Sequence, residues 1–258
     1  MTGFLASVRS AEEAVVALAG GADIIDAKEP AAGALGRVAP DTLRAIVTAV
    51  AGRRPVSATI GDMELQPDAV LAAAEATAEC GAAIVKIGIF PGAFDKTIAA
   101  LRAPAEKGMW LVAVLFADRA PDLAAIVSAC ATAGFLGVML DTADKEAGPL
   151  TSHLDPADLA GFVRLARDHG LISGLAGSLR RSDVPMLAPL GADYLGFRSA
   201  LTAGGRASHL DPVAVAAMRQ AIDHESLSNS ATATAGAMSI ASDARPGSAR
   251  RTVSSNPQ

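Results

Sequence analysis

Charged residues interrupt three otherwise aliphatic runs of this chain, and their types suit carbonyl chemistry. "GADIIDAKEP" (21–30) carries Asp26 and Lys28, "IVKIGI" (84–89) carries Lys86, and "GVMLDTADK" (137–145) carries Asp141 and Lys145. A lysine attacks a carbonyl only as the neutral amine, and burial beside a second cation lowers its pKa toward that state. A neighbouring carboxylate pulls the other way, yet it can orient a second lysine and pass protons. Brought together, these five residues would suit imine and enamine chemistry. A metal-dependent aldolase would instead want histidines at the same places, and an isomerase of triose phosphates would want a Glu base with a His electrophile. His153, His169, His209 and His224 are scattered, without ligand spacing such as HxH or HExxH, so no metal is expected.

Positioning these residues requires elements that end where the charges begin. Eight short β-rich runs alternate with amphipathic helical runs: FLASV (4–8), ADIIDAK (22–28), VSATIGD (56–62), IVKIGI (84–89), WLVAVLFAD (110–118), GVMLDT (137–142), ISGLAGS (172–178) and YLGFRS (194–199). The helical runs carry boundary signals. Ser10 precedes Glu12 and Glu13, and Gly20 or Gly21 ends that helix; Asp155 and Pro156 open another, which Gly170 closes. "GGADIIDAK", "CGAAIVKIG", "AGFLGVMLD" and "LGADYLGFR" repeat one pattern, a helix-stopping Gly and then a strand, at the second, fourth, sixth and eighth runs. The expected fold is an α/β single domain, a TIM (β/α)8 barrel over residues 1–222. From 223 to 258 the chain is rich in Ser, Ala and Thr with few large apolar residues, and a disordered, flexible tail is expected.

In such a barrel, chemistry sits at the C-terminal ends of the strands. Alternation puts Ile24, Asp26 and Lys28 on one face and turns Ile25 and Ala27 toward the helices. Lys86 shares a face with Ile84 and Gly88, and Asp141 with Met139. Ion pairs that merely plug the barrel would add little stability, because desolvation offsets their attraction. Charges gathered at a barrel mouth are more often a site. The seventh and eighth runs end in Gly177, Ser178, Gly196, Arg198, Gly204 and Gly205, a candidate phosphate-binding set of the kind barrels build there.

Composition narrows the partners. A net charge of -5 and the lack of any basic, aromatic-interleaved stretch argue against nucleic acid. The N-terminal apolar run is short for a signal peptide, and no apolar stretch approaches a membrane span, so a cytoplasmic protein is expected. Hydrophobic residues make up 51% of the chain but aromatics only 3%, so the core must rest on Ala, Val, Leu and Ile. Cys80 and Cys130 fall within Ala-rich helical patterns and read as buried free thiols. The Ala/Leu helices leave room for a homo-oligomer interface.

"GGADIIDAKEPAAGALG", "VSATIGD", "IVKIG", "MLDTADKEAG", "GLAGSL" and "GADYLGFR…GGR", in this order, resemble the (5-formylfuran-3-yl)methyl phosphate synthases, also called 4-(hydroxymethyl)-2-furancarboxaldehyde-phosphate synthases. The likeness spans residues 4 to about 222. It implies a barrel lyase that joins two molecules of glyceraldehyde 3-phosphate into a phosphorylated furan aldehyde, with loss of phosphate and water, for methanofuran or methylofuran biosynthesis. It implies that Lys28, in the D-x-K-x-P stretch, forms a Schiff base and that Lys86 accepts or donates the proton. Asp26, Asp141 and Lys145 match further charged positions, for proton transfer or phosphate binding. No cofactor is implied, since the imine is the electron sink. Glu29 departs from the Asn expected in archaeal relatives, which bears on substrate orientation, and the Ser-rich tail looks like an addition. Two other readings of the same residues stand beside it: another lysine-dependent sugar-phosphate aldolase or isomerase, and a non-catalytic barrel that binds a phosphorylated metabolite.

Overall fold

A computed structural model of the chain describes residues 2–242, with side chains through Leu227. Eight strands form where the aliphatic runs lie: β1 (Gly3–Val8), β2 (Ile24–Ala27), β3 (Val56–Thr59), β4 (Ile84–Gly88), β5 (Trp110–Phe116), β6 (Gly137–Asp141), β7 (Ile172–Leu175) and β8 (Tyr194–Phe197). Between and after them run α1 (Ala11–Ala19), α2 (Pro40–Val50), α3 (Pro67–Glu79), α4 (Phe94–Glu106), α5 (Leu123–Thr132), α6 (Pro156–Asp168), the short α7 (Val184–Leu187) and α8 (Pro212–Ser242). The strands pair in chain order, all parallel, and β8 returns to β1. This is the expected TIM (β/α)8 barrel.

Helix ends follow the boundary chemistry. The Ser10 side chain accepts from the Glu13 N–H at the start of α1, and Gly20 caps its end. Asp155 accepts from the N–H groups of Ala157 and Asp158 at the start of α6, where Pro156 fills the first turn without wasting a donor.

Alternation along the strands divides the apolar residues into two layers. Ile25, Ala27, Val85, Ile87, Leu111 and Leu140 face the helices, where Ala14, Ala17 and Ala74 let the helices approach closely. Leu5, Ile84, Val112, Val114, Met139 and Tyr194 fill the barrel itself. Because both faces of each strand are covered, the runs read as nearly continuous aliphatic sequence. Cys80 and Cys130 are buried free thiols, and burial pushes the Cys130 thiol up to about 12.

Four strands end two or three residues before their runs do, among them β8, which stops at Phe197 before the 3-10 turn at Ser199–Leu201. β3 stops at Thr59, before Gly61 at φ 103°; β5 stops at Phe116, where Ala117–Arg119 winds into a 3-10 turn; β7 stops at Leu175, before Gly177 at φ 105°. The residues released this way, among them Asp62, Asp118 and Ser178, belong to the mouth loops. At the other end of the chain, α8 carries helix past residue 222, where the apolar pattern fades, to Ser242. Ser226, within it, is buried. The rest of the tail, 243–258, lies outside the described residues.

Candidate active site

The strand register assembles the site from below. Asp26 of β2 lies opposite Ser7 of β1 and Ser57 of β3. Both hydroxyls donate to its carboxylate, Ser7 Oγ at 2.9 Å and Ser57 Oγ at 2.6 Å. Lys86 of β4 adds a third donor, its Nζ 2.9 Å from Asp26 Oδ1. Asp26 is 0% and Lys86 2% exposed, so this ion pair has left water altogether. Burial pushes the Asp26 carboxyl up, but Lys86, then Lys28, and the donated hydrogen bonds outweigh it and hold the pKa below the ordinary value.

A second cluster forms one layer higher. Lys28, just past the end of β2, points its Nζ at Asp141 Oδ2 across 3.4 Å. Lys145 reaches the other oxygen, Asp141 Oδ1, at 2.5 Å, and also donates to the carbonyl and, at 3.3 Å, the hydroxyl of Thr142. The Thr142 N–H adds 2.8 Å to the same carboxylate. Asp141 therefore stays ionised: burial would raise its pKa, but Lys145 and then Lys28 hold it down. Lys28 differs from its neighbours in what it receives. Its pKa is lowered to about 8, chiefly by burial, which Asp141 opposes and the charges on Lys145 and Lys86 reinforce. An amine in this state is about one-tenth neutral at pH 7, several hundred-fold more than an ordinary lysine, and that form can attack a carbonyl.

These residues line a cavity that opens at the C-terminal end of the barrel. Leu5, Met139 and Ala176 give it apolar wall. All five residues of the lysine and aspartate set come together there.

The phosphate-binding candidates divide. Gly177 and Ser178 line the cavity, and neither N–H has an acceptor among the described residues. Ser178 has φ 49°, a left-handed conformation that costs a non-glycine residue roughly 1–2 kcal/mol. A Cβ on Gly177 would meet Thr142 at 3.0 Å. Gly196 lines the cavity too, but as a space-saver: a Cβ there would lie 2.9 Å from Met139 Cε. Gly204 and Gly205 are absent from the wall and instead form the turn before Arg206. Arg198 is at the wall, yet its guanidinium is committed to the protein, with Glu13 taking its Nη1 at 2.5 Å and Nη2 at 3.2 Å. It serves the loop rather than a ligand.

Residues missed from the sequence were Ser7, Ser57, Thr142 and Arg206. The serines had a readable signal, since each lies on the inward face of the run flanking Asp26. Arg206 follows directly on the Gly204-Gly205 pair. Glu29, the departure from archaeal relatives, accepts the Ala31 N–H and does not line the cavity. Among the described residues, no cluster of His, Cys, Asp and Glu is arranged to hold a metal ion, and no helix is long and apolar enough to cross a membrane.

Comparisons with known proteins bear on the fold and the family. Among solved structures, 3-hexulose-6-phosphate synthase from Salmonella typhimurium superposes with a TM-score of 0.65 at 19% identity, covering 87% of this chain and all of that one, a likeness of fold. A protein of Methylorubrum extorquens named "Putative (5-formylfuran-3-yl)methyl phosphate synthase" is 47% identical over 216 residues, 82% of this chain and 88% of the relative. The (5-formylfuran-3-yl)methyl phosphate synthase of Methanosarcina mazei is 34% identical over 220 residues, 80% of this chain and 93% of the relative. The family profile described as 4-HFC-P synthase matches residues 4–219, from β1 into α8, and the chain belongs to that family.

Proposed function

We propose that the chain condenses two molecules of glyceraldehyde 3-phosphate into (5-formylfuran-3-yl)methyl phosphate, through an imine at Lys28. The observation that carries this reading is Lys28 itself, a buried amine lowered to about 8 at the mouth of the cavity. Family membership supports the product, and the three lysines around one cavity support the route.

Lys28 attacks the carbonyl of one triose phosphate and loses water to form the imine. Lys86 in its neutral form takes the proton from the carbon beside the imine, the ammonium so formed pairs with Asp26, and the resulting enamine attacks the carbonyl of the second triose phosphate. Elimination of one phosphate, ring closure and dehydration follow. Atom balance requires one phosphate and two water molecules to leave per furan formed, with no net oxidation. Asp141 holds Lys145 against the reacting centre, where its charge suits a developing oxyanion or the departing phosphate. The N–H groups of Gly177 and Ser178 suit a retained phosphate.

Intact-protein mass spectrometry after incubation with glyceraldehyde 3-phosphate and borohydride tests the reading. The expected adduct maps to Lys28, vanishes in Lys28→Ala and persists in Lys86→Ala. No adduct on any lysine would remove the imine route and favour a barrel that only binds phosphorylated metabolites. An adduct confined to Lys86 would exchange the two roles, and an adduct without furan absorbance would point to a different aldol reaction.

A further inference from the structure

Two arginines share the loop between β8 and α8, and they are used in opposite ways. Arg198 donates all five of its N–H groups to protein: Nε to the Arg206 carbonyl at 2.8 Å, Nη1 to the Ser7 carbonyl at 3.1 Å and to Glu13, and Nη2 to Glu13 and to the Ser208 carbonyl at 2.6 Å. Arg206, whose backbone Arg198 holds, makes a single hydrogen bond among the described residues, from Nη2 to the Gly33 carbonyl at 3.1 Å. No carboxylate of the described residues lies within ion-pair distance of it. Its side chain spans from the β8 loop to the β2 loop and lines the cavity together with Lys28 and Lys145. Asp141, Asp62 and Glu29 act on it only from beyond contact, and Arg198 opposes them.

The charge of the cavity points the same way. Its wall presents Lys28, Lys86, Lys145, Arg198 and Arg206 against Asp26 and Asp141, with Glu13 behind Arg198. Two cations are left without a carboxylate of their own, and Arg206, one of them, is half-buried at the rim. Such an excess is a disposition toward anions. A guanidinium is the side chain best matched to phosphate, because its planar fork gives two parallel donors. The condensation proposed above brings in two phosphate groups, whereas the β7 corner at Gly177 and Ser178 offers one set of backbone donors.

We infer that Arg206 is a second phosphate anchor, which takes the phosphate of one triose phosphate while the Gly177–Ser178 corner takes that of the other. On binding, the guanidinium exchanges the neutral Gly33 carbonyl for a charged oxygen, a stronger partner. The exchange would draw the β8 loop toward the substrate. Gly204 and Gly205 find their use here, as the turn that delivers Arg206 to the rim. This inference rests on the cavity being the site of the proposed condensation.

The test separates binding from chemistry. Inorganic phosphate is titrated calorimetrically into the wild-type chain, Arg206→Gln and Arg206→Lys, and each is then incubated with borohydride and either glyceraldehyde 3-phosphate or unphosphorylated glyceraldehyde. Arg206→Gln is expected to weaken phosphate binding by about 10- to 100-fold, the range of a lost hydrogen bond to a charged group. It should slow trapping of the phosphorylated triose far more than of glyceraldehyde. Arg206→Lys restores part of both, as a point charge without the fork. Phosphate affinity unchanged in a folded Arg206→Gln would overturn the inference. Weakened phosphate binding in a protein that forms no furan would uphold the anchor while removing the proposed reaction.

Discussion

Lys28 and Lys86 occupy one cavity, but substitution should show that burial costs them differently. Lys86 is the near partner of an aspartate that has lost all contact with water. Lys86→Met leaves Asp26 as a buried charge with only hydroxyl donors nearby, and a loss of about 3–5 kcal/mol is expected, read from urea unfolding. Lys28 shares Asp141 with the closer Lys145, so Lys28→Met leaves that carboxylate paired and removes a poorly solvated cation. The expected result at pH 7 is a gain on the order of 1–3 kcal/mol with loss of imine trapping. The sign follows from linkage. Lys28 has a folded pKa near 8 and an unfolded value of 10.5, so the unfolded chain holds the proton more tightly between them. The penalty is present in full below about pH 8 and fades as pH rises toward 10.5, so the advantage of Lys28→Met should shrink over that window. Trapping by the wild-type chain should follow the same group, rising tenfold per pH unit up to about 8 and then levelling.

The loops above the strands decide whether these lysines meet substrate. Asp118 reaches across from the β5 turn to accept the N–H groups of Ala143 and Asp144, both at 2.8 Å, in the loop that carries Lys145. Its neighbour Arg119 lies over the rings of Phe90 and Phe116, 5.4 Å from each centre, which fixes the turn from the other side. Asp118→Ala should leave the barrel folded and lower kcat by about 10- to 100-fold as Lys145 drifts, while the Lys28 adduct still forms. Near-ultraviolet circular dichroism and borohydride trapping together check this. Asp62 performs the same service for the β2 loop, through Ala34 and Leu35. Neither aspartate was legible as a loop anchor, because each closes an aliphatic run and reads as the last residue of a strand. The strands themselves were legible because a two-residue alternation admits one inward face. That same alternation placed Asp26, Lys86 and Asp141 before any coordinates. What it could not supply was contact between loops, such as Arg206 with Gly33, since no period relates residues that far apart in sequence.

At the scale of the molecule, a buried ion pair joins the first unit to the last, beside the β1–β8 ladder and the more exposed Arg219–Asp23 pair. Glu13, on the first helix, is buried and receives Arg198 from the last loop in a two-oxygen contact, along with the Arg9 N–H at 3.0 Å. This joins the beginning of the chain to its end over the cavity that holds both lysines. Eight β/α units with similar aliphatic faces leave closure weakly specified by apolar pattern alone. A buried charge pair between the first and last units tells them apart, since any other pairing strands a charge in the interior. Glu13→Ala should therefore cost about 3–5 kcal/mol, by leaving the Arg198 guanidinium buried without its partner. Glu13→Ala with Arg198→Met should recover much of that stability while still releasing the Arg206 loop. The cycle read by urea unfolding would then show a coupling beyond about 0.5 kcal/mol, the scale at which distant sites merely add. Additive losses would mean that the ladder closes the barrel unaided and that the pair serves only the loop. Coupled losses, with furan formation still impaired in the folded double variant, would assign one contact two duties: fixing which units meet and holding the arginine loop over the substrate.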